Sequence, residues 1–303
     1  MALNHARSAT GGSSGSQRPT LQRLRGRGSS QVSVDSFGVS AGTENSATPI
    51  IEASHVSLTI DTADGPLRVL NDISVSVRPG EYVGIVGPSG SGKTMFLNTI
   101  AGIEHATAGE LRVFGEPPVV GRQGVGYAMA RDGLLPWRTA LGNVELSLEA
   151  LGVPKEERRA RARAALERVD LGDFCGAYRA QLSQGMRQRV ALARTLISNP
   201  RLLLLDEPFA ALDAQTRIVM QERLLELLNT YDGTVFLVTH DLAEAILLSD
   251  RVIVFTRRPA QVKREFEINL PRPRSSIQLR STEEFQRLQA EIWAELAGEV
   301  TEL

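Results

Sequence analysis

The sequence predicts an α/β fold, and three observations carry that prediction. Short β-like runs at Ala53 to Ile60, Val69 to Val77 and Tyr82 to Val86 are separated by Asp-Gly and Pro-Gly turns. The third run leads through a glycine-rich loop into an apolar-periodic stretch, Met95 to Gly102, which reads as strand, loop and helix. Further on, Leu202 to Leu205 and Val235 to Val238 are short, wholly apolar runs of the kind that make buried parallel strands.

Taken in chain order, residues 1–49 come first. They consist of Ser, Gly, Thr, Gln and Arg with scattered apolar residues and no sustained period. Such a segment buries too little surface to offset its ordering entropy, so a disordered tail is expected. Arg7, Arg18, Arg23, Arg25 and Arg27, with few acids between them, also suit an organellar transit peptide, but the apolar stretch of a secretory signal is missing. Residues 155–170 read as an amphipathic helix, with Ala162, Ala165, Leu166 and Val169 on one face and Arg158, Arg159, Arg161 and Arg163 on a solvated one. A polar helix from about Thr282 to Ala297 ends the pattern.

Composition narrows the function classes. With 42% hydrophobic and 23% charged residues, the 303-residue chain is neither wholly disordered nor membrane-embedded. Lys+Arg 34 against Asp+Glu 35 leaves a net charge of -1, so no global basic field points to nucleic acid. Cys175, the only cysteine, excludes an intrachain disulfide and a cysteine-rich metal site, which fits a reducing compartment. The basic residues are almost all arginine, lysine occurring only at 93, 155 and 263. No run reaches the roughly 18 apolar residues of a spanning helix, so work at a membrane would go through a partner.

Gly87-Pro88-Ser89-Gly90-Ser91-Gly92-Lys93-Thr94 matches GxxxxGK[ST] between the third strand and the first helix. In such a loop the backbone N–H groups wrap the β-phosphate, the helix N-terminus adds positive potential, Lys93 reaches the β- and γ-phosphates and the Thr94 hydroxyl binds Mg²⁺. The run from Leu202 ends in Asp206-Glu207. Asp206 suits Mg²⁺ and Glu207 suits a general base for an attacking water, while a strand-end turn would leave the same trace. Leu182-Ser183-Gln184-Gly185-Met-Arg-Gln-Arg189 precedes a helical stretch, where Ser183 reads either as an N-cap or as part of an anion site.

In the order of these motifs, residues 50–270 resemble the ATP-binding subunits of ABC transporters. The resemblance implies a P-loop NTPase cassette: a mixed-sheet core, an antiparallel β subdomain and a helical subdomain inserted at about 131–185, with residues 271–303 as a C-terminal extension. It implies that Ser183 and Gly185 contact the γ-phosphate of a nucleotide on a second copy, so that a head-to-tail homodimer closes around two ATP·Mg²⁺. It implies a D-loop at Ala210-Ala-Leu-Asp213 and a switch histidine at His240, with Asp241 and Glu244 forming a capping-box-like helix start. Leu134-Leu-Pro-Trp-Arg-Thr139, Asn143-Val144 and Leu270-Pro-Arg-Pro-Arg274 are similar to the nitrate, sulfonate and taurine importer branch. The first of these reads either as the permease-facing groove or as subdomain core.

Three departures accompany the resemblance. The family's Mg²⁺- and water-contacting glutamine aligns with Ala130, which coordinates neither; Gln123 is out of register, and Arg131 and Asp132 are the nearest polar substitutes. Gln184 stands for a signature glycine. Ile60 stands where an aromatic stacks on adenine, which leaves the base on an apolar side chain. The expected function is an ATP-hydrolysing importer subunit, peripheral on the cytoplasmic face of the inner membrane. Its expected partners are an integral membrane permease and, indirectly, a periplasmic or lipoprotein solute-binding protein, with no nucleic acid. A regulatory, hydrolysis-impaired subunit is the alternative, and a soluble DNA- or ribosome-acting ATPase would want a second cassette or a coiled-coil insertion.

Overall fold

The computed structural model describes residues 48–210 and 212–300; residues 1–47 of the tail expected at 1–49, Ala211 of the D-loop stretch and residues 301–303 lie outside it. Strands β1 (Ile51–Thr62), β2 (Gly65–Val77) and β4 (Ala108–Val113) form an antiparallel sheet in the order β2-β1-β4. Ala63-Asp64 turns the first hairpin, whose ladder runs from Thr62 paired with Gly65 to Ile51 paired with Val77. The second sheet has the order β5-β6-β7-β3-β8-β9, from β3 (Tyr82–Val86), β5 (Val125–Ala128), β6 (Leu202–Asp206), β7 (Thr234–Val238), β8 (Arg251–Phe255) and β9 (Val262–Glu267). Its pairings are parallel except for β8 with β9.

The apolar runs are continuous because both faces of this sheet are covered, and the two-residue period of a strand divides each run between two cores. Leu202 and Leu204 of β6 join Val83, Ile85, Phe236 and Phe255 beneath the antiparallel sheet and α1 (Lys93–Ile100). Leu203 and Leu205 join Val235, Leu237 and Val252 on the opposite face. There they meet α5 (Ala214–Leu228) and α6 (Leu242–Leu248). In the first core Phe96 of α1 meets Phe236 of β7 edge-on at 6.0 Å and Phe255 of β8 at 5.8 Å, seating α1 under the two strands that flank β3.

The inserted helices are α2 (Ala140–Ala150) and α3 (Lys155–Arg168), and α4 (Gln184–Leu196) follows them. Ala162, Leu166 and Val169 are buried with Leu134, Leu141 and Val144. Val190, Ala191 and Ala193 of α4 belong to the same cluster, so the packing of this segment runs past residue 185. The arginine face of α3 is not wholly solvated. Arg161 donates through Nη2 to the Ile197 carbonyl at 3.1 Å, at the C-terminus of α4.

The chain closes with α7 (Ser276–Leu279) and α8 (Glu283–Val300). The expected polar helix is amphipathic instead. Phe285, Leu288, Ile292 and Leu296 recur at helical spacing and are buried against the second core, beside Leu242 to Leu248 of α6. Arg274, 6% exposed, anchors this C-terminal segment. Its guanidinium donates to the carbonyls of Ser249 at 2.6 Å, Leu247 at 3.3 Å, Ile268 at 3.2 Å and Leu270 at 3.2 Å, so it caps the C-terminus of α6. Burial pulls its pKa down to about 10, opposed by the charge of Asp250.

Candidate nucleotide site

β3 ends at Val86 and the chain wraps back on itself before α1 starts at Lys93. Two glycines make that wrap possible. Gly90 and Gly92 hold φ of 74° and 114°, and a Cβ on Gly92 would lie 2.8 Å from Cγ1 of Val69. The buried Lys93 ammonium donates to the carbonyls of Gly87 at 2.8 Å and Pro88 at 2.9 Å, which fixes it inside the loop. Burial lowers its pKa, opposed by the charges of Glu207 and Asp206.

The parallel strands β6 and β7 deliver the remaining groups to the same end of the sheet. Asp206 ends β6, and its Oδ1 accepts from the Thr94 hydroxyl at 2.9 Å. Burial raises the pKa of Asp206 and the neighbouring Glu207 charge adds to that; the Thr94 hydrogen bond and Lys93 pull the other way. Glu207 follows with φ of 45°, an uncommon backbone for a non-glycine residue. His240, just beyond β7, places Nδ1 3.2 Å from Glu207 Oε2. Two hard oxygen donors at Thr94 and Asp206 fit Mg²⁺, an ion that one or two protein ligands and substrate phosphates complete. Among the described residues no group of three or more His, Cys, Asp or Glu forms a self-sufficient metal site.

A cavity of about 260 Å³ opens on these groups. Ser89, Gly90, Gly92, Lys93 and Thr94 form one part of its wall, and Glu207 also lines it. Met95, Ile60, Val69 and Arg258 complete it. Ile60 is singled out by the sequence, whereas Val69 and Arg258 carry no motif; an isolated bridge of Leu70 with Ala260, between the two sheets, places them here. The β8–β9 turn is held to β2 by Ala260 N donating to Val69 O at 2.8 Å and by Asn71 N donating to Ala260 O at 2.9 Å.

Ser183 and Gly185 are not part of this cavity. They line a separate one of about 380 Å³ with Thr216 and Arg223. Ser183 Oγ caps α4 by accepting from Met186 N at 3.3 Å and stays exposed. Asp213 caps α5, accepting from Gln215 N at 3.1 Å and Thr216 N at 3.0 Å. The helix start at Asp241 differs from a capping box. Asp241 Oδ1 accepts from Ala243 N at 2.8 Å, but Glu244 turns inward, where Thr239 Oγ1 donates to it at 2.6 Å and Gln221 Nε2 at 3.1 Å. Thr239 takes the reciprocal role, accepting from Asp241 N at 3.0 Å.

Asp132 does not replace the missing glutamine at Ala130. Its two oxygens accept from Arg179 Nε and Nη2 at 3.0 and 3.1 Å, and Leu134 N donates to Oδ1 at 3.0 Å. The Leu134–Thr139 stretch divides between its two readings: Leu134 is buried in the helical core, whereas Trp137 is 72% exposed. Asn143 holds that turn, accepting from Leu135 N at 2.7 Å and donating to the carbonyls of Arg138 at 3.1 Å and Thr139 at 3.0 Å.

The family model described as ABC transporter matches residues 70–210. The taurine import ATP-binding protein TauB of Pseudomonas putida is 42% identical over 220 residues, 73% of this chain and 83% of that protein. The chain belongs to the ABC transporter ATP-binding family. The nitrate transport protein NasD of Klebsiella oxytoca is 37% identical over 248 residues, 80% of this chain and 95% of its own. Among solved structures, the ATP-binding cassette MJ0796, a dimer in a post-hydrolysis state bound to ADP and Pi, superposes with a TM-score of 0.66 at 32% identity, covering 73% of this chain and 100% of that one. As a member of this family the chain is an ATPase. No helix among its described residues is long and apolar enough to cross a membrane.

Proposed function

We propose that this ABC ATPase energises uptake of a small anionic solute, of the nitrate, sulfonate or taurine kind, through a separate membrane permease. The single observation that carries the reading is the convergence of Lys93, Thr94 and Glu207 on one cavity, with Asp206 hydrogen-bonded to Thr94 and His240 to Glu207 behind it. Relatives named for taurine, nitrate and aliphatic sulfonates support the solute class.

In this reading Lys93 and the loop N–H groups hold the β- and γ-phosphates, and Thr94 and Asp206 hold Mg²⁺, which would supply charge neutralisation on the phosphate oxygens. Glu207 accepts a proton from the attacking water, and His240 orients that carboxylate and reads the γ-phosphate. Ser183 and Gly185, which line a separate cavity of their own chain, serve the nucleotide of a second copy, so two cassettes close head to tail. A cap residue that remains exposed and the dimer of the related cassette both support this. Exposed Trp137 on a turn pinned by Asn143 suits the permease contact, because a rigid exposed aromatic is what interface hot spots use. The subunit then works at the cytoplasmic face of the membrane, and a solute-binding protein delivers the solute to the permease.

The hydrolysis-impaired alternative rests on Ala130 alone. The assembled Glu207–His240 pair and the import relatives weigh against it. The test is phosphate release by the chain with its co-purified permease, beside a Glu207→Gln control: release that vanishes in the control supports the reading, and ATP binding without release overturns it.

A further inference from the structure

The nucleotide cavity has two chemically different walls. The loop wall carries its own positive potential from Lys93, the N–H groups and the start of α1. The wall formed by Ile60 and Val69 is apolar and has no ring. A purine resting there gains buried area but no interaction with its π face. Met95 and Glu207 also line the cavity, and Arg258 enters it from the β8–β9 turn.

That turn is held in place. Ala260, two residues on, exchanges backbone hydrogen bonds with Val69 and Asn71, and Val69 itself lines the apolar wall. The Arg258 guanidinium is also uncommitted: among the described residues it forms no salt bridge. Neighbouring basic residues are all engaged, Arg251 with Glu81 and Glu265, Lys263 with Glu299, and Arg264 with Glu295. An exposed, unpaired arginine beside an apolar wall of a nucleotide cavity combines a planar, weakly hydrated cation with the position where a ring is missing.

We infer that Arg258 is the base-stacking residue of this site, its guanidinium plane lying on the purine and supplying the π contact that Ile60 does not. Guanidinium planes stack on nucleobases, and the contact strengthens as the base leaves water. Phosphate contact is the competing role for an arginine. The loop wall already supplies Lys93, the helix start and Thr94 to the phosphates, whereas no residue lining the cavity carries a ring and Arg258 alone offers a planar cation to the base.

The inference rests on the chain binding ATP, and the experiment separates the two. Equilibrium binding of ATP and of inorganic tripolyphosphate is measured by calorimetry on the full chain, all proteins carrying Glu207→Gln to prevent turnover. Arg258→Ala is expected to weaken ATP about fivefold to tenfold and leave tripolyphosphate unchanged, with Arg258→Lys recovering little because its ammonium has no plane. In an Ile60→Tyr background the added ring takes over, and Arg258→Ala then costs less than about twofold. Unchanged ATP affinity in Arg258→Ala, or an equal loss for tripolyphosphate, overturns the stacking role. Failure of the parent protein to bind ATP at all overturns the nucleotide reading itself, and tripolyphosphate binding by the variants reports an intact loop.

Discussion

The His240 imidazole lies 3.2 Å from the Glu207 carboxylate, although the two residues end different strands and are 33 positions apart. Parallel pairing of β6 with β7 produces this: Asp206 registers with Val238, so the residues that follow each strand emerge side by side. Glu207 N donates to Val238 O at 2.8 Å, which fixes the offset.

If Glu207 is the base and His240 its orienting partner, the two substitutions differ in kind. Glu207→Gln is expected to remove steady-state hydrolysis, a loss of about 10²–10⁴-fold, while ATP binding persists. His240→Ala is expected to slow turnover and leave nucleotide affinity within about threefold. Single-turnover phosphate release beside equilibrium binding separates the two effects, and equal loss of binding in both variants would contradict these roles.

Asp206 carries a folded pKa above its ordinary value, mainly because it is buried at 5% exposure. The sign follows from proton linkage. Between the ordinary pKa and the raised one the folded state binds more protons than the unfolded state, so stability falls as pH rises through that window and stays lowered above it. Asp206→Asn removes the buried charge. It is expected to raise the melting temperature of the nucleotide-free protein at pH 8 by about 2–4 °C, a gain that shrinks as pH is lowered toward 4. The same variant should lose Mg²⁺-dependent ATP binding; a melting temperature that falls at every pH would show that the carboxylate is a structural anchor.

Ala130 provides a test of magnitude. A hydrogen bond to a charged group contributes about 1.5–3 kcal/mol, so an uncompensated missing amide would make Ala130→Gln at least tenfold faster. The assembled Glu207–His240 pair leads us to expect a change within about threefold in turnover. A tenfold gain would favour the hydrolysis-impaired reading.

Arg274 should matter to stability although it is remote from the cavity. Arg274→Ala leaves the carbonyls of Leu247, Ser249, Ile268 and Leu270 without their buried donor, an expected cost of about 3–5 kcal/mol. Denaturant unfolding checks this. A loss under about 1 kcal/mol would mean that water or a shifted backbone replaces the guanidinium.

Much of the fold and the loop was legible because local signals and tertiary context agree there. Tyr82 to Val86 is strand β3 as read, and Gly87 to Thr94 is read from residue type alone because only glycine tolerates the wrap at 90 and 92. β5 is not legible in the sequence, since four residues, Val-Gly-Tyr-Ala, are too few to show a period. The C-terminal helix reads as polar in sequence because its four buried residues are spread over three turns among Glu, Gln and Arg. Arg258 is invisible in sequence for a topological reason: β8 lies next to β3, so the turn after β8 meets the loop after β3 across 165 positions or more of chain.

The central claim, that the groups around this cavity hydrolyse ATP to drive a permease, is tested most directly by phosphate release from the full chain, alone and with its co-purified membrane partner. The account predicts release that increases with the partner and disappears in Glu207→Gln. ATP binding without release, even beside the partner, would contradict it.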